Sequence, residues 1–475
     1  MTHTPKKATV PDQDASRYLD VLSDYLCHAR LEDFPAAVTE RARWIIADCL
    51  PLTAAGMQAR EMRDFAQRQL ACNPRGEATV IGLGVRADPK TASLLNGTAG
   101  TWLEMVEENI YAKGLPAIQV VPAALALAEH HKASGRELMA ATVLGYEAGC
   151  RISRATKTKM ALHPSGTFGV ICAAVAAARL ARLGEHAMRE VINVSATLGL
   201  ATSRKAIIDG ATVGRVYSGA SGLLGILAVE MVQAGLTGEV DGVRSVYGSI
   251  YADAPEVVSR IPQMAKESFE PELVLAGLGS EFLITEGFIK MHACARSIHP
   301  ALDLVEDILA RRRLDPAEID RIDFLTYISP TTLHGKTPKT AFGSRFSLPF
   351  AVASLIYHGR GALANFEDEA FANPVIRDLA LRVNVAEKPE YTALFPFKQP
   401  CDVQVRLKDG SMIEARAEYT RGDPKNPRTA AEMTSKFFDV ARLVWNREHA
   451  QRVFDGMMSL EGIDDVHAFF SRNPI

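Results

Sequence analysis

The sequence predicts a mainly α protein: a large all-α helical domain, residues 1–275 and 428–475, with a smaller α+β domain, residues 276–427, inserted before the last helices. Three observations carry this. From about residue 15 to 275 almost every segment repeats its apolar residues at helical spacing. After about residue 276 apolar and polar residues begin to alternate around turn signals, as strands do. From residue 428 onward helical spacing returns, which implies that the C-terminus packs back on the first domain. A chain of 475 residues is also too long for one simple core.

The elements follow in order. "AAVTERARWIIADCLPLTAAG" puts Val38, Ala42, Ile45, Ile46 and Cys49 on one stripe of a helix. "QVVPAALALAEHHKASG" is a second helix, expected to end near Gly135. Ser134 and Glu137 form an S-x-x-E capping box that opens "RELMAATVLGYEAGCRIS". "SGTFGVICAAVAAARLARLG" and "GASGLLGILAVEMVQAGLTG" are apolar on all sides, so both read as buried helices, each closing on a glycine placed as a C-cap. Beyond residue 276, "HPALDLVEDILARRR" is a helix and "DPAEIDRIDFLTYIS" a capped turn running into a strand. "VNVAEK" is a strand. "CDVQVRLKDGSMIEARAEY" is a hairpin with its tip at Asp409-Gly410.

Composition narrows the function. Apolar residues make up 47% and charged residues 23%, with a formal net charge of −3, an ordinary globular balance without the basic bias of a nucleic-acid partner. The run "FGVICAAVAAA" stops at Arg179, about half a membrane span, and Glu230 interrupts "GLLGILAVEMVQAGL", so no membrane partner is expected. "MTHTPKKATVPDQD" has no apolar core and reads as a flexible lead rather than a signal peptide. Seven cysteines, dispersed and without a C-x-x-C pair, fit reduced thiols and a cytoplasmic location. The chain has no G-x-S-x-G elbow and no H-E-x-x-H pair. "GASGLLG" follows no strand, and the thiols are too scattered for an iron–sulfur cluster. No cofactor and no metal are therefore expected, and any chemistry falls to side chains.

Five stretches gather such side chains. "EMVEENIYAKGLP" holds Glu104, Glu107 and Glu108, which would share one face of a helix, as a pocket wall or as a wet surface. "LHPSGTFG" places His163 before a buried helix whose N-terminal N–H groups suit an anion, although Ser165 as a simple cap reads equally well. "SRKAIIDGATVGRVYSG" carries Arg204, Lys205, Arg215 and Tyr217 around a glycine-rich loop, as carboxylate ligands or, as is more usual beside an apolar helix, as surface cations. "KMHACARSIHP" packs Lys290, His292, Cys294, Arg296 and His299 into one short stretch at the expected domain boundary, where clefts form. "KTAFGSRFSLPFAVASLI" sets Arg345 and Ser347 ahead of a core helix, an arrangement equally suited to an arginine at a solvated helix start.

In this order "LNGTAGTWLE", "PAIQVVPAALALAE", "HPSGTFG", "GATV…YSGASG", "KMHACARSIHPALD" and "SRFSLPFAVA" resemble the MmgE/PrpD family, over roughly residues 90 to 355. The resemblance implies an all-α domain with an α+β lid, an active site between them and a homodimer. It also implies cofactor-independent proton removal next to a carboxylate of a small organic acid. On it, His163 is similar to the family's helix-start histidine, Lys205 to its cleft lysine, and Lys290 and His299 to its lid-side pair. Many relatives carry Gly-His-Pro where this chain has Gly114-Leu115-Pro116. Leucine neither accepts nor donates a proton, so that catalytic role is vacant here. Val106 and Gly214 likewise stand where relatives often have aspartate and arginine.

The expected catalytic residues are His163, Lys205, Lys290 and Glu107. Thr98, Asn109, Tyr111, Thr167, Arg204, Tyr217, His292, Arg296 and His299 are expected to bind substrate. The expected activity is that of a lyase or isomerase, dehydratase- or decarboxylase-like. The alternatives are an epimerase of an amino- or imino-dicarboxylate, or a homologue that binds ligand without turnover.

Overall fold

The computed structural model describes residues 15–72, 76–253, 268–361 and 363–475. The N-terminal stretch read above as a lead lies outside them up to residue 14. The fold is mainly α, with a smaller α+β part, as the sequence predicts. Helices Pro89–Gly100, Pro116–His131, Gly135–Arg154, Phe168–Leu180 and Val216–Gln233 pack against one another in the centre. Phe168–Leu180 is buried on nearly every side because alanine presents no bulk to its neighbours. Glycine does the same for Val216–Gln233: a Cβ on Gly219 would collide with Leu94 O and Thr98 Oγ1 of the crossing helix. By length and composition residues 212–233 could cross a bilayer, yet half of that stretch is buried, as in a core helix.

The capping box forms as read: Ser134 Oγ accepts from the Glu137 N–H, and Glu137 Oε2 accepts from the Ser134 N–H at 2.9 Å. Helix ends differ in detail. Pro116–His131 ends before Gly135, on Lys132 in the left-handed region (φ +52°). After Phe168–Leu180 the left-handed residue is Arg182, while Gly184 caps the next helix. Gly235, rather than Gly238, closes Val216–Gln233 (φ +88°). The first half is also not purely helical: strands Ala78–Val80 and Val85–Ala87 form a small antiparallel hairpin.

In the second half, strands Ile319–Thr326, Val383–Glu387, Cys401–Leu407 and Met412–Ala417 make one sheet. Ile319–Thr326 lies between Val383–Glu387, to which it is parallel, and Cys401–Leu407, to which it is antiparallel. The hairpin turns at Asp409-Gly410 as expected. Cys401, Val403, Val405 and Leu407 all face inward, and helices His299–Arg311 and Leu348–His358 pack against the sheet. The C-terminal helices Ala430–Ala441 and Arg447–Met458 return to helix Ala36–Gly56. There the buried Lys436 Nζ lies 2.7 Å from Asp48 Oδ1 and donates to Met105 O.

Candidate active site

The acidic stretch is not helical, so its three carboxylates do not share a face. Glu104 lies in the left-handed region (φ +54°). Strand Glu108–Asn109 pairs with Gly287–Phe288, setting Glu108 opposite Phe288. Glu107 turns into the core. Its Oε1 accepts from Tyr146 Oη at 2.5 Å and its Oε2 from the Ala117 N–H at 3.4 Å. Burial pushes its carboxyl up to about 7, so it is part protonated at neutral pH. Glu104 and Glu108 instead reach Lys290, with Nζ 2.8 Å from Glu104 Oε1 and 3.6 Å from Glu108 Oε2. Lys290 is wholly buried. Burial works against its charge, but Glu104 and then Glu108 outweigh it and hold the ammonium above its ordinary value.

His163 is placed by two loops clipped together. Its N–H donates to Thr202 O at 2.8 Å, Thr202 Oγ1 donates back to His163 O, and Arg204 N–H donates to Ala161 O. The Ser165 N–H donates to His163 Nδ1 at 3.2 Å, so the neutral ring carries its proton on Nε2. Burial, then Arg204 and Lys290, push its pKa down to about 4, while Glu104 pulls the other way. Arg204, Lys290 and Glu104 thus all lie within electrostatic reach of His163. The Tyr217 ring stands 5.9 Å from the imidazole. Gly114 abuts Pro164, which brings the Leu115 stretch beside His163.

On a further side of this cluster, Arg296 is stacked on Phe288 at 4.9 Å and lies 3.9 Å from Asp423. Tyr327 is within electrostatic reach of Arg296, Glu108 and Asp423. Two open surface grooves, one beside Trp445 and one beside Leu314 and Arg382, contain none of these groups. The ionisable groups named above are instead gathered in this polar cluster.

The other expected residues go elsewhere. Lys205 points to solvent, 78% exposed and paired with Asp209 at 2.7 Å, and Arg204 is the cation that turns inward. Thr98 donates to Leu94 O and packs at the crossing with Gly219. Asn109 spends its amide on Leu283 O and on the Tyr111 and Ala112 N–H groups, which makes it the former of its own turn. Tyr111 lies beside Arg154, with the guanidinium 6.0 Å from its ring. Thr167 Oγ1 donates to Pro164 O within its own turn. His299 is wholly buried between Phe288 and His292, and burial, with His292 adding, keeps it neutral well below its ordinary value. Arg345 is not at a solvated helix start but buried, donating to Leu103 O and Ala293 O.

His292, Asp303 and Glu306 could converge on a cation. Arg421 already lies 2.7 Å from Glu306 and 3.3 Å from Asp303, with Arg428 3.7 Å from Asp303. Arg421 on both carboxylates and Arg428 on Asp303 would repel a metal, so the trio belongs to a charge network.

Two family models match the chain: the MmgE/PrpD N-terminal domain over residues 20–252 and the MmgE/PrpD C-terminal domain over residues 292–460. The chain belongs to the MmgE/PrpD family. Among curated MmgE/PrpD relatives it is 26% identical to cis-aconitate decarboxylase-like protein oryM of Aspergillus oryzae, covering 94% of this chain and 95% of that one. It is 24% identical to a cis-aconitate decarboxylase of Aspergillus terreus, covering 93% of each. It is 21% identical to a cis-aconitate decarboxylase of Mus musculus, covering 90% of this chain and 87% of that one. At the level of the family this supports an enzyme, the matched relatives being named as cis-aconitate decarboxylases or like them.

Sequence reasoning passed over Glu104 and Glu108 in favour of Glu107, and Tyr327 and Asp423 altogether. The three-glutamate stretch was the available signal; only the folded backbone shows which of its carboxylates reach Lys290.

Proposed function

We propose that the chain is a lyase that moves a proton at carbon next to a carboxylate of a small organic acid, using side chains alone. Decarboxylation is the favoured form, because the relatives matched along nearly the whole chain carry that name. The observation that carries the reading is the convergence of a neutral His163, a buried charged Lys290 and the inward Arg204. Arg204 and Arg296 hold carboxylates, and Lys290 stabilises the enolate-like charge that builds up as a C–H or C–CO₂ bond breaks. In the resting tautomer His163 offers an N–H from Nε2 rather than a lone pair. Glu108, one quarter exposed, is then the carboxylate left to accept a proton. A bound anion beside His163 raises the proton affinity of its ring, so the ring can hand a proton on.

A second reading, a family member that binds ligand without turnover, is favoured by Leu115 at the vacated histidine position. One experiment separates the two. The protein is incubated in D₂O with cis-aconitate, malate, citramalate and aspartate, and followed by proton NMR and carbon dioxide release. The lyase reading expects loss of water or carbon dioxide, abolished in His163→Ala. Thermal stabilisation by an acid without turnover supports the second reading, and deuterium entry without elimination supports an epimerase. Full turnover by His163→Ala overturns the assignment.

A further inference from the structure

We infer that Arg215 is a further carboxylate seat of this site: its guanidinium fork, held flat between Trp102 and Phe342, takes one carboxylate of the acid edge-on. The inference rests on the carboxylate-binding reading above and adds a residue to it.

A buried arginine ordinarily ends on an acid. Arg345 lies 3.3 Å from Glu367, and Arg296 3.9 Å from Asp423. Arg215 is only 8% exposed, yet among the described residues its side chain makes no ion pair and no hydrogen bond, and its Nε is buried without a partner. Ring contact alone holds it. Its guanidinium carbon stands 3.9 Å from the centre of the Trp102 ring and 4.2 Å from that of Phe342. With its faces covered in this way, the N–H edge is what remains to be satisfied. A planar carboxylate meets such an edge with two parallel N–H···O bonds.

The seat is fixed in place and lies beside the charged cluster. Thr101 Oγ1 donates to Arg215 O at 2.8 Å, which anchors the backbone under the side chain. Trp102, Leu103 and Glu104 then engage three cations in turn. The Trp102 ring stacks on Arg215, Leu103 O accepts from Arg345 Nη1 at 3.0 Å, and Glu104 Oε1 lies 2.8 Å from Lys290 Nζ. Two steps of chain span at most about 7 Å, so Arg215 and Lys290 are gripped by one short stretch. On its other side Arg215 leads into helix Val216–Gln233, where Tyr217 comes to 5.9 Å from the His163 ring. Burial chiefly, and then Arg345, work against the charge on Arg215, while Glu104 supports it. A bound carboxylate offsets the repulsion between the two guanidinium groups. Trp102 and Phe342 belong to the two family domains, so the seat exists only where those domains meet.

Glutarate and its monoamide test this, because they differ in one carboxylate and neither needs to react. The functional reading gives the remaining carboxylate to Arg204. Binding of each is measured by calorimetry to the wild-type protein, Arg215→Gln and Arg215→Lys. The wild type is expected to bind glutarate at least ~10-fold more tightly than the monoamide. Glutamine accepts an amide as readily as a carboxylate, so Arg215→Gln is expected to bring the two affinities within ~3-fold of each other, by weakening glutarate. Arg215→Lys keeps the charge without the fork and is expected to fall between the two, which also decides the matter if Arg215→Gln does not fold. An arginine that serves packing alone would weaken both ligands together. A ratio unchanged from the wild type in the folded variants therefore overturns the inference and leaves the functional reading standing. So does a wild type that binds the monoamide as tightly as glutarate. Failure of the wild type to bind either ligand overturns both.

Discussion

Replacing Glu107 with glutamine tests where this carboxylate points. Its carboxyl is raised from 4.5 to about 7, chiefly by burial, and Tyr146 Oη and the Ala117 N–H offset only part of that. The folded state therefore binds the proton more tightly than the unfolded chain. Between pH 4.5 and about 7 the unfolded chain loses this proton first, so stability falls as pH rises through that window. At about 1.4 kcal/mol per unit, the penalty above pH 7 is ~3 kcal/mol. Glutamine has nearly the shape of the protonated acid, can still accept from Tyr146 and does not titrate. Glu107→Gln should thus match the wild type at pH 4 and exceed it by roughly 2–3 kcal/mol at pH 8. Urea unfolding at a series of pH values reads this difference, and other titrating groups cancel in the comparison. Parallel stability curves for the two proteins would refute the reasoning, and would return Glu107 to the solvated cleft where the sequence first placed it.

Further outcomes follow from the same geometry. Lys290→Met leaves the 12%-exposed Glu104 without its partner and should cost about 2–3 kcal/mol, whereas Lys205→Ala, at an exposed pair, should change stability by less than about 0.5 kcal/mol; thermal unfolding of both decides it. The folded pKa of His163 is depressed to about 4. Stability should therefore drop as pH falls from 6.5 toward 4, by an order of 3 kcal/mol relative to His163→Asn. In an NMR titration the ring should protonate near pH 4 in the free protein and at higher pH with glutarate bound. Arg215 is clamped between Trp102 at 3.9 Å and Phe342 at 4.2 Å. Arg215→Lys, which loses the flat stacking surface, should cost about 1–2 kcal/mol in thermal unfolding.

Where local periodicity settles an element, the sequence was readable. The buried alanine-rich helix, the Ser134–Glu137 cap and the hairpin at Gly410 all follow from patterns a few residues long. The site was readable as segments but not as faces. Helix Arg204–Ile208 is short, and neighbouring residues on a helix point about 100° apart, so Arg204 turns in while Lys205 turns out. Glu107 and Glu108 part company because the stretch is not helical: Glu107 precedes strand Glu108–Asn109 and turns to Tyr146, while Glu108 reaches toward Lys290. Asn109 looked like a ligand-binding amide because nothing local reveals that its partners are Leu283 and its own turn. Tyr327 and Asp423 come from distant parts of the chain and carry no local mark.

Backbone and amide contacts, rather than the side chain at position 115, hold the Leu115 stretch in shape. Leu115 is itself buried and opens helix Pro116–His131, and its carbonyl accepts from Gln119. Gln119 Oε1 in turn accepts from the Gly166 N–H and from Ser221 Oγ, tying this helix to the His163 turn. The loops are therefore held by backbone and amide contacts that an imidazole at position 115 would not supply. With leucine there, no side chain at position 115 titrates, so any proton transfer beside His163 falls to the groups around it.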